Sequence, residues 1–373
     1  MKIVHIHHHY WPVIGGLENV VKALAEGMAK LGHEVHVITS TYGAGGRPRE
    51  EVVNGVRVHR VRSNRLGYPD LTYPLEYPID VLKNADVVHG HSQNSLFTVK
   101  MIKKAKELGA KTAMHFMAID SMNDHPNPFI RLVGPHYARY MLHKALKISD
   151  IKLVRAIRDG TILKTKYGID TYFVPDGGDE DFIRTPNKAT TFLSRYQLYE
   201  PYVLFLGRLD KLKGVDILIK AMSLVRKEVP ELKAVIAGPG DQRPYEMLAE
   251  KLGIKNYIIF TGPLQGEIKI GAIDASLTLT HPSLRETFPL VVMEAWAREK
   301  PVVTTPVGDI PYRVKHGENG ILIPPRNPKA LTDAIILLFQ DENLRKKLGS
   351  AGKRQVYIWN EIVMKLIKIY KDN

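Results

Sequence analysis

The stretch from Ala275 to Thr304 narrows the choice of fold more than any other in the chain. Ala275–Thr280 is rich in β-branched residues and short enough for a buried strand, and Pro301–Thr304 reads as the next one. Between them Pro289 suits the first turn of a helix, because its ring fixes φ and its missing N–H would have had no partner inside the helix. The helix then begins near Leu290. Strand, helix and strand in so short a span describe one repeat of a doubly wound α/β sheet.

Two acids lie inside this repeat, Glu286 on the loop before the helix and Glu294 on its early turns, both near the positive end of the helix dipole. A pair acting as general acid and base on a sugar would flank the scissile bond from its two sides, which one loop and one helix rarely supply. The better reading is that both carboxylates accept hydrogen bonds from vicinal hydroxyls while the N–H groups of Leu290 and Val291 face an anion. Hydroxyls and an anion together describe a sugar nucleotide. The plainer alternative is that Glu286 caps the helix and Glu294 sits on a solvated face.

With 373 residues, 44% of them hydrophobic, the chain can supply two cores. The absence of cysteine excludes disulfides, thiolate metal sites and cysteine nucleophiles. No apolar run reaches the length of a membrane span and Met1–His5 enters a strand at once, so a cytoplasmic protein is expected. A net charge of +14 favours anionic partners. The excess is spread over both halves rather than gathered in one aromatic-laced stripe, which favours nucleotide sugars or phospholipid surfaces over nucleic acid.

At the N-terminus, Lys2–His7 reads as a strand, Tyr10–Gly16 as a loop and Leu17–Leu31 as a helix. Gly15 and Gly16 would let the backbone approach a ligand in the crevice beyond the strand ends. The loop is not a G-x-G-x-x-G fingerprint, which disfavours a nicotinamide enzyme. His5, His7 and His9 could share one face of an extended strand, but with no acid or cysteine near them in sequence they read as strand-end histidines rather than a metal site. Further strands are expected at Glu34–Thr39, Ala85–His89 and Ala110–His115, with a hairpin about Asn54-Gly55 in Val52–Val61 and a loop over 67–78. Residues 129–148 contain no acid and interleave Arg131, Arg139, Lys144 and Lys147 with apolar side chains. That segment is either a packed amphipathic helix or one that could lie on an anionic bilayer.

In the second half, Tyr202–Leu206 is a strand and Val215–Val229 a helix, joined by a loop in which Gly207 and Gly214 frame Arg208 and Lys213. The planar fork of arginine and the compact charge of lysine would neutralise a diphosphate there. The turns Gly238-Pro239-Gly240 and Gly262-Pro263-Leu264 would open toward the nucleotide. Asp179-Glu180-Asp181 is a D-x-D triplet, discounted as a metal motif because three residues match readily by chance. In the tail, Trp359, Ile362, Val363, Leu366 and Tyr370 fall on one helical face.

The Glu pair, written E-T-F-P-L-V-V-M-E-A-W-A from Glu286, resembles the E-x7-E region of retaining glycosyltransferases with the GT-B fold, family 4 of the sugar transferases. G-R-L-D-K-L-K-G from Gly207 resembles that family's G-R-x-x-x-x-K-G, Pro175-Asp176-Gly177-Gly178-Asp179 its Pro-Asn-Gly-Val-Asp loop, and Thr112-Ala113-Met114-His115 its Thr-x-x-His element. Departures are Pro289, where many members have Gly, Asp176 in place of Asn, and Tyr312 in place of a common acidic residue.

The resemblance implies two doubly wound Rossmann-like domains facing across a cleft. Residues 1–184 would bind the acceptor, with the 359–373 helix packing back on them, and residues 185–358 the donor. It implies retaining transfer of a sugar from a nucleotide-sugar donor to a hydroxyl of a glycan, lipid or small metabolite, with no cofactor and no essential metal. Arg208 and Lys213 would stabilise the leaving diphosphate, Glu286 and His115 would orient the sugar, and Glu294 the ribose. Gly15, Gly16, Gly238, Leu264, Leu290 and Val291 would complete the nucleotide-sugar site. The protein would be cytoplasmic, with peripheral contact at the inner membrane face through 129–148. Because fold does not fix reaction, a nucleotide-sugar epimerase or phosphorylase of the same fold and a non-catalytic basic protein binding anions or nucleic acid remain as alternatives.

Overall fold

The computed structural model describes residues 1–13, 15–124, 127–178, 180–286 and 289–373. It divides into two compact units, Met1–Asp176 with Trp359–Asn373, and Gly177–Ile358.

The first unit contains strands β1 (Lys2–Ile6), β2 (Glu34–Ser40), β3 (Glu50–Val53), β4 (Val56–Val61), β5 (Ser63–Arg65), β6 (Thr72–Pro74), β7 (Val87–His91), β8 (Lys111–Phe116), β9 (Ile151–Val154) and β10 (Tyr172–Phe173). Eight of them form one sheet in the order β10-β9-β8-β7-β1-β2-β4-β3. β3 is its antiparallel edge, joined to β4 by the Asn54–Gly55 turn, whose φ values of 48° and 82° are the left-handed pair a two-residue hairpin needs. β5 and β6 make a separate antiparallel ribbon, so the stretch 67–78 expected as a loop carries a strand.

On one face of the central strands, Val4, Ile6, Val88 and Met114 pack with Phe97, Met101 and Ile102 of the Leu96–Glu107 helix. Ser95 starts that helix by accepting a hydrogen bond from the Thr98 N–H. The chain's last helix, Trp359–Asp372, belongs to this unit and buries Ile362, Val363, Leu366 and Tyr370. It lies against the Gly16–Lys30 helix, where a Cβ at Gly27 would come within 2.8 Å of Val363.

The second unit adds β11 (Tyr202–Leu206), β12 (Lys233–Ala237), β13 (Ile258–Gly262), β14 (Leu279–His281), β15 (Val302–Thr304) and β16 (Ile321–Leu322). They form an all-parallel sheet in the order β13-β12-β11-β14-β15-β16. Side chains of β11 alternate between two cores: Val203 and Phe205 join Ile217, Leu218 and Met222 on one face, while Tyr202, Leu204 and Leu206 join Val292 and Trp296 on the other. A parallel strand covered by helices on both sides has this near-continuous apolar sequence.

Gly177, Gly178 and Glu180–Arg184, grouped with the first domain on sequence grounds, belong to the second unit. Phe182 enters its core, and Arg298 donates to the carbonyls of Phe182 and Thr185 at 2.9 and 2.8 Å.

Candidate functional site

In the second unit the loops after β11, β12 and β14 gather at the C-terminal edge of the sheet, the edge where open α/β sheets bind ligands. Glycines make that gathering close. Gly214 has φ 75°, and a Cβ on it would stand 2.1 Å from the Pro282 carbonyl oxygen. Gly238 has φ 153°, and a Cβ there would stand 1.8 Å from the Gly207 carbonyl oxygen. Asp210 accepts from the Lys213 N–H at 3.0 Å, and Leu284 N–H donates to the Leu212 carbonyl at 2.7 Å. The basic loop is thereby fixed against the loop that carries Glu286.

The outcome is a three-membered cluster. The Lys213 ammonium meets Glu286 Oε1, and Nε2 of His281, the last residue of β14, lies 2.7 Å from the same oxygen. Burial opposes ionisation of Glu286, but the hydrogen bond and charge of His281 and the charge of Lys213 outweigh it and hold the carboxyl below its ordinary range. Arg208 stands apart: its side chain is largely exposed, with its Nε 3.9 Å from Asp210.

Glu294 sits within the Leu290–Ala297 helix, for which Pro289 is the N-cap. One carboxylate oxygen accepts from Lys269 Nζ at 2.6 Å, and the other is buried without a protein hydrogen-bond partner. Leu290 and Val291 form the first turn, where helix geometry leaves N–H groups without an intrahelical acceptor. Leu264 is partly buried against the neighbouring core. Sequence pattern singles out neither His281 nor Lys269: His281 lies five residues before its glutamate without a motif around it, and Lys269 meets Glu294 from a neighbouring helix. Thr287, Phe288 and Asp179 lie outside the described residues, and with Asp179 the D-x-D triplet.

In the first unit, Gly15 is the N-cap of the Gly16–Lys30 helix, and a Cβ on it would strike the Glu18 carboxylate at 2.2 Å; Gly16 has open space beside it. Glu18 faces His7 Nε2 at 3.7 Å and His9 Nδ1 at 3.5 Å. Burial alone would raise this carboxyl, but the hydrogen bonds of both histidines lower it. The shared face expected for His5, His7 and His9 is not formed, because β1 ends at Ile6 and the alternation stops there. His5 turns instead toward His91, with Nδ1 to Nε2 at 3.0 Å.

His115 lies near the C-terminal end of β8 with 1% exposure, its ring centroid 4.8 Å from that of His89. Burial, with the Arg155 charge, lowers its pKa to about 3, so the imidazole is neutral. A cavity of about 110 Å³ nearby in sequence is lined by Gln93, Asn94, Asp120, Arg139, Lys166 and Tyr167.

Known proteins match the chain in both of its units. The family model described as glycosyl transferases group 1 matches residues 194–355, and that described as glycosyltransferase family 4 matches residues 14–154. An uncharacterized glycosyltransferase of Methanocaldococcus jannaschii is 29% identical across 100% of this chain and 98% of its own. A D-inositol 3-phosphate glycosyltransferase of Corynebacterium glutamicum is 32% identical over 53% of this chain, which spans about half (51%) of that relative's length. Among solved structures, Anabaena HepE in complex with UDP shares the fold at a TM-score of 0.77 and 18% identity, with 100% of both chains covered. Glycosyltransferase models thus match part of each unit and the pair of Rossmann-like sheets is shared over the full length: the chain is a glycosyltransferase of the GT-B fold.

Proposed function

We propose that the protein moves a sugar from a nucleoside-diphosphate sugar to an acceptor hydroxyl with retention of anomeric configuration, and that the second unit holds the donor. The observation that carries this reading is the junction of Lys213, Glu286 and His281 at the C-terminal edge of the sheet. When a donor enters, Lys213 exchanges the Glu286 carboxylate for a phosphate oxygen, and Arg208, free to swing on its exposed side chain, adds a second cation. Charge that develops on the diphosphate as the anomeric bond breaks is then met by groups already in place. Glu286, held ionised, accepts from a sugar hydroxyl, and the second oxygen of Glu294 accepts from the ribose.

The N–H groups of Leu290 and Val291 face a phosphate, while the backbone at Gly238 and Leu264 passes the nucleotide. In the first unit, Gly16 offers open backbone beside the acceptor, with Gly15 making room for Glu18. His115 reaches the sugar only if its ring turns out of its buried position. The polar lining of the Gln93–Arg139 cavity suits a hydroxylated acceptor. The UDP complex of HepE and the inositol-phosphate relative support a nucleotide donor and make a phosphorylated cyclitol one acceptor to include.

The exposed face of the Pro128–Ile148 helix supports a peripheral membrane contact. Phe129 and Leu132 are about 70% exposed beside Arg131, and Lys144 rests over the Tyr140 ring at 4.3 Å.

The test is incubation of the full chain with a panel of nucleotide sugars, each with and without candidate acceptors. Acceptor-dependent release of nucleotide, with the anomeric configuration of the product read by NMR, supports retaining transfer. Isomerised donor without acceptor would replace it with epimerisation, and an inverted product would remove the retaining assignment.

A further inference from the structure

The face of the first sheet opposite the Leu96–Glu107 helix is paved with imidazoles. Register explains how. β1 pairs with β7 so that His5 is opposite His89, and strand alternation brings His91 to the same face as His89. His115 joins from β8, opposite His91. All four side chains are buried, His5, His89 and His91 with no exposed surface at all. Each of those three has a ring nitrogen without a protein hydrogen-bond partner: Nε2 of His5, Nε2 of His89 and Nδ1 of His91. Buried polar atoms in a folded core are nearly always paired, and an apolar residue at any of these positions would avoid the desolvation, so the arrangement calls for a partner.

We infer that His5, His89 and His91 form a binding site for one late first-row transition-metal ion, of which zinc is the type. Three ligating nitrogens, one per ring, all lie within 4.8 Å of one another. A tetrahedral ion with bonds of about 2.0–2.1 Å holds its donors roughly 3.4 Å apart, so modest ring rotations about side chains on three fixed backbone positions complete the geometry. Imidazole suits zinc, copper, iron and nickel, and the chain has no thiolate to offer. Burial depresses all three imidazoles, His5 to about 3, and repulsion from neighbouring histidines adds to it at His89 and His91, which keeps them in the neutral form that ligates. These ligands differ from the His5–His9 run that drew attention in the sequence: two of the three come from another strand.

A hydrogen bond behind the ligands supports the assignment. Tyr370, on the C-terminal helix, places its hydroxyl 2.6 Å from Nδ1 of His89. With His89 bound to metal through Nε2, Nδ1–H donates to that hydroxyl, which fixes the tautomer and the ring plane as partners of metal-bound histidines commonly do. The ion would then tie the C-terminal helix to the sheet through one imidazole. This inference stands independently of the donor site in the other unit.

The test uses tag-free full-length chain, unfolded with chelator and refolded with one equivalent of Co²⁺ or Zn²⁺, then desalted. Expected are close to one bound ion per chain, intense visible bands of low-coordinate Co²⁺, and a raised melting temperature. His91→Ala or His5→Ala should lower affinity roughly 100-fold or more, and Tyr370→Phe about tenfold, with far-UV circular dichroism unchanged. Exposed His143→Ala should bind as the wild type does. If the histidine variants do not refold, the wild-type stoichiometry and spectrum and the Tyr370→Phe shift decide. Failure of the refolded wild type to retain metal, a hexaaqua-like cobalt spectrum, or full retention by a folded His5→Ala or His91→Ala chain would overturn the site and leave buried water as the partner of these nitrogens.

Discussion

His281 Nε2 and the Lys213 ammonium converge on one oxygen of Glu286, so a cation from a loop and a donor from a strand end hold a single carboxylate. Removing either Lys213 or Glu286 leaves that junction incomplete. Lys213→Ala and Glu286→Ala are each expected to slow sugar transfer by about 10²–10³-fold, the scale of losing one preorganised electrostatic contact. Initial rates with saturating donor, alongside circular dichroism spectra that match the wild type, check this; near-normal rates in both variants would remove the assigned site.

The same contacts predict an acid response. Glu286 is held below its ordinary value of 4.5 despite burial. A carboxyl depressed in the folded state contributes stability that is complete above the unfolded value and is lost as pH falls through the folded one. The stability gap between wild type and Glu286→Gln should therefore stay level above pH 4.5 and shrink below it. Denaturant midpoints measured across that range test it, and a gap that widens in acid would reverse the sign.

Gly214 and Gly238 are predicted to tolerate no side chain. Alanine at either position meets a carbonyl oxygen at about 2 Å with a positive φ. A cost of roughly 1–3 kcal/mol is expected from the backbone strain alone, before the clash is relieved. Urea unfolding of the whole chain reads it, and the control is Gly16→Ala in the first unit, where no atom lies within 4 Å.

The Pro128–Ile148 helix is expected to bring the chain down with anionic liposomes at low salt and to release it at high salt. Phe129→Glu with Leu132→Glu should abolish sedimentation while leaving transfer to a water-soluble acceptor intact. Equal recovery with and without anionic lipid would end the membrane reading.

Much of the architecture was legible in short-range pattern. Tyr202–Leu206 is apolar throughout because both of its faces are covered, and Asn54-Gly55 announces its hairpin through φ alone. β5 was missed because Ser63-Asn64-Arg65 has no apolar alternation to signal a strand. The candidate site was legible only where its chemistry lies along the chain, as at Glu286 and Lys213. The partners that complete it carry less signal: Lys269 meets Glu294 from a neighbouring helix, and His281, though only five residues before Glu286, has nothing around it in sequence to show that its ring turns onto that carboxylate. The imidazole face of the first sheet is likewise a product of strand register.

The last helix belongs to the unit that begins the chain, and this has a consequence for synthesis. Residues 177–358 can leave the ribosome and close their own core while the earlier sheet still lacks Val363, Leu366 and Tyr370. The half translated first is then completed last, and a stop codon just before Trp359 would spare the later half while stripping the cover from the earlier one.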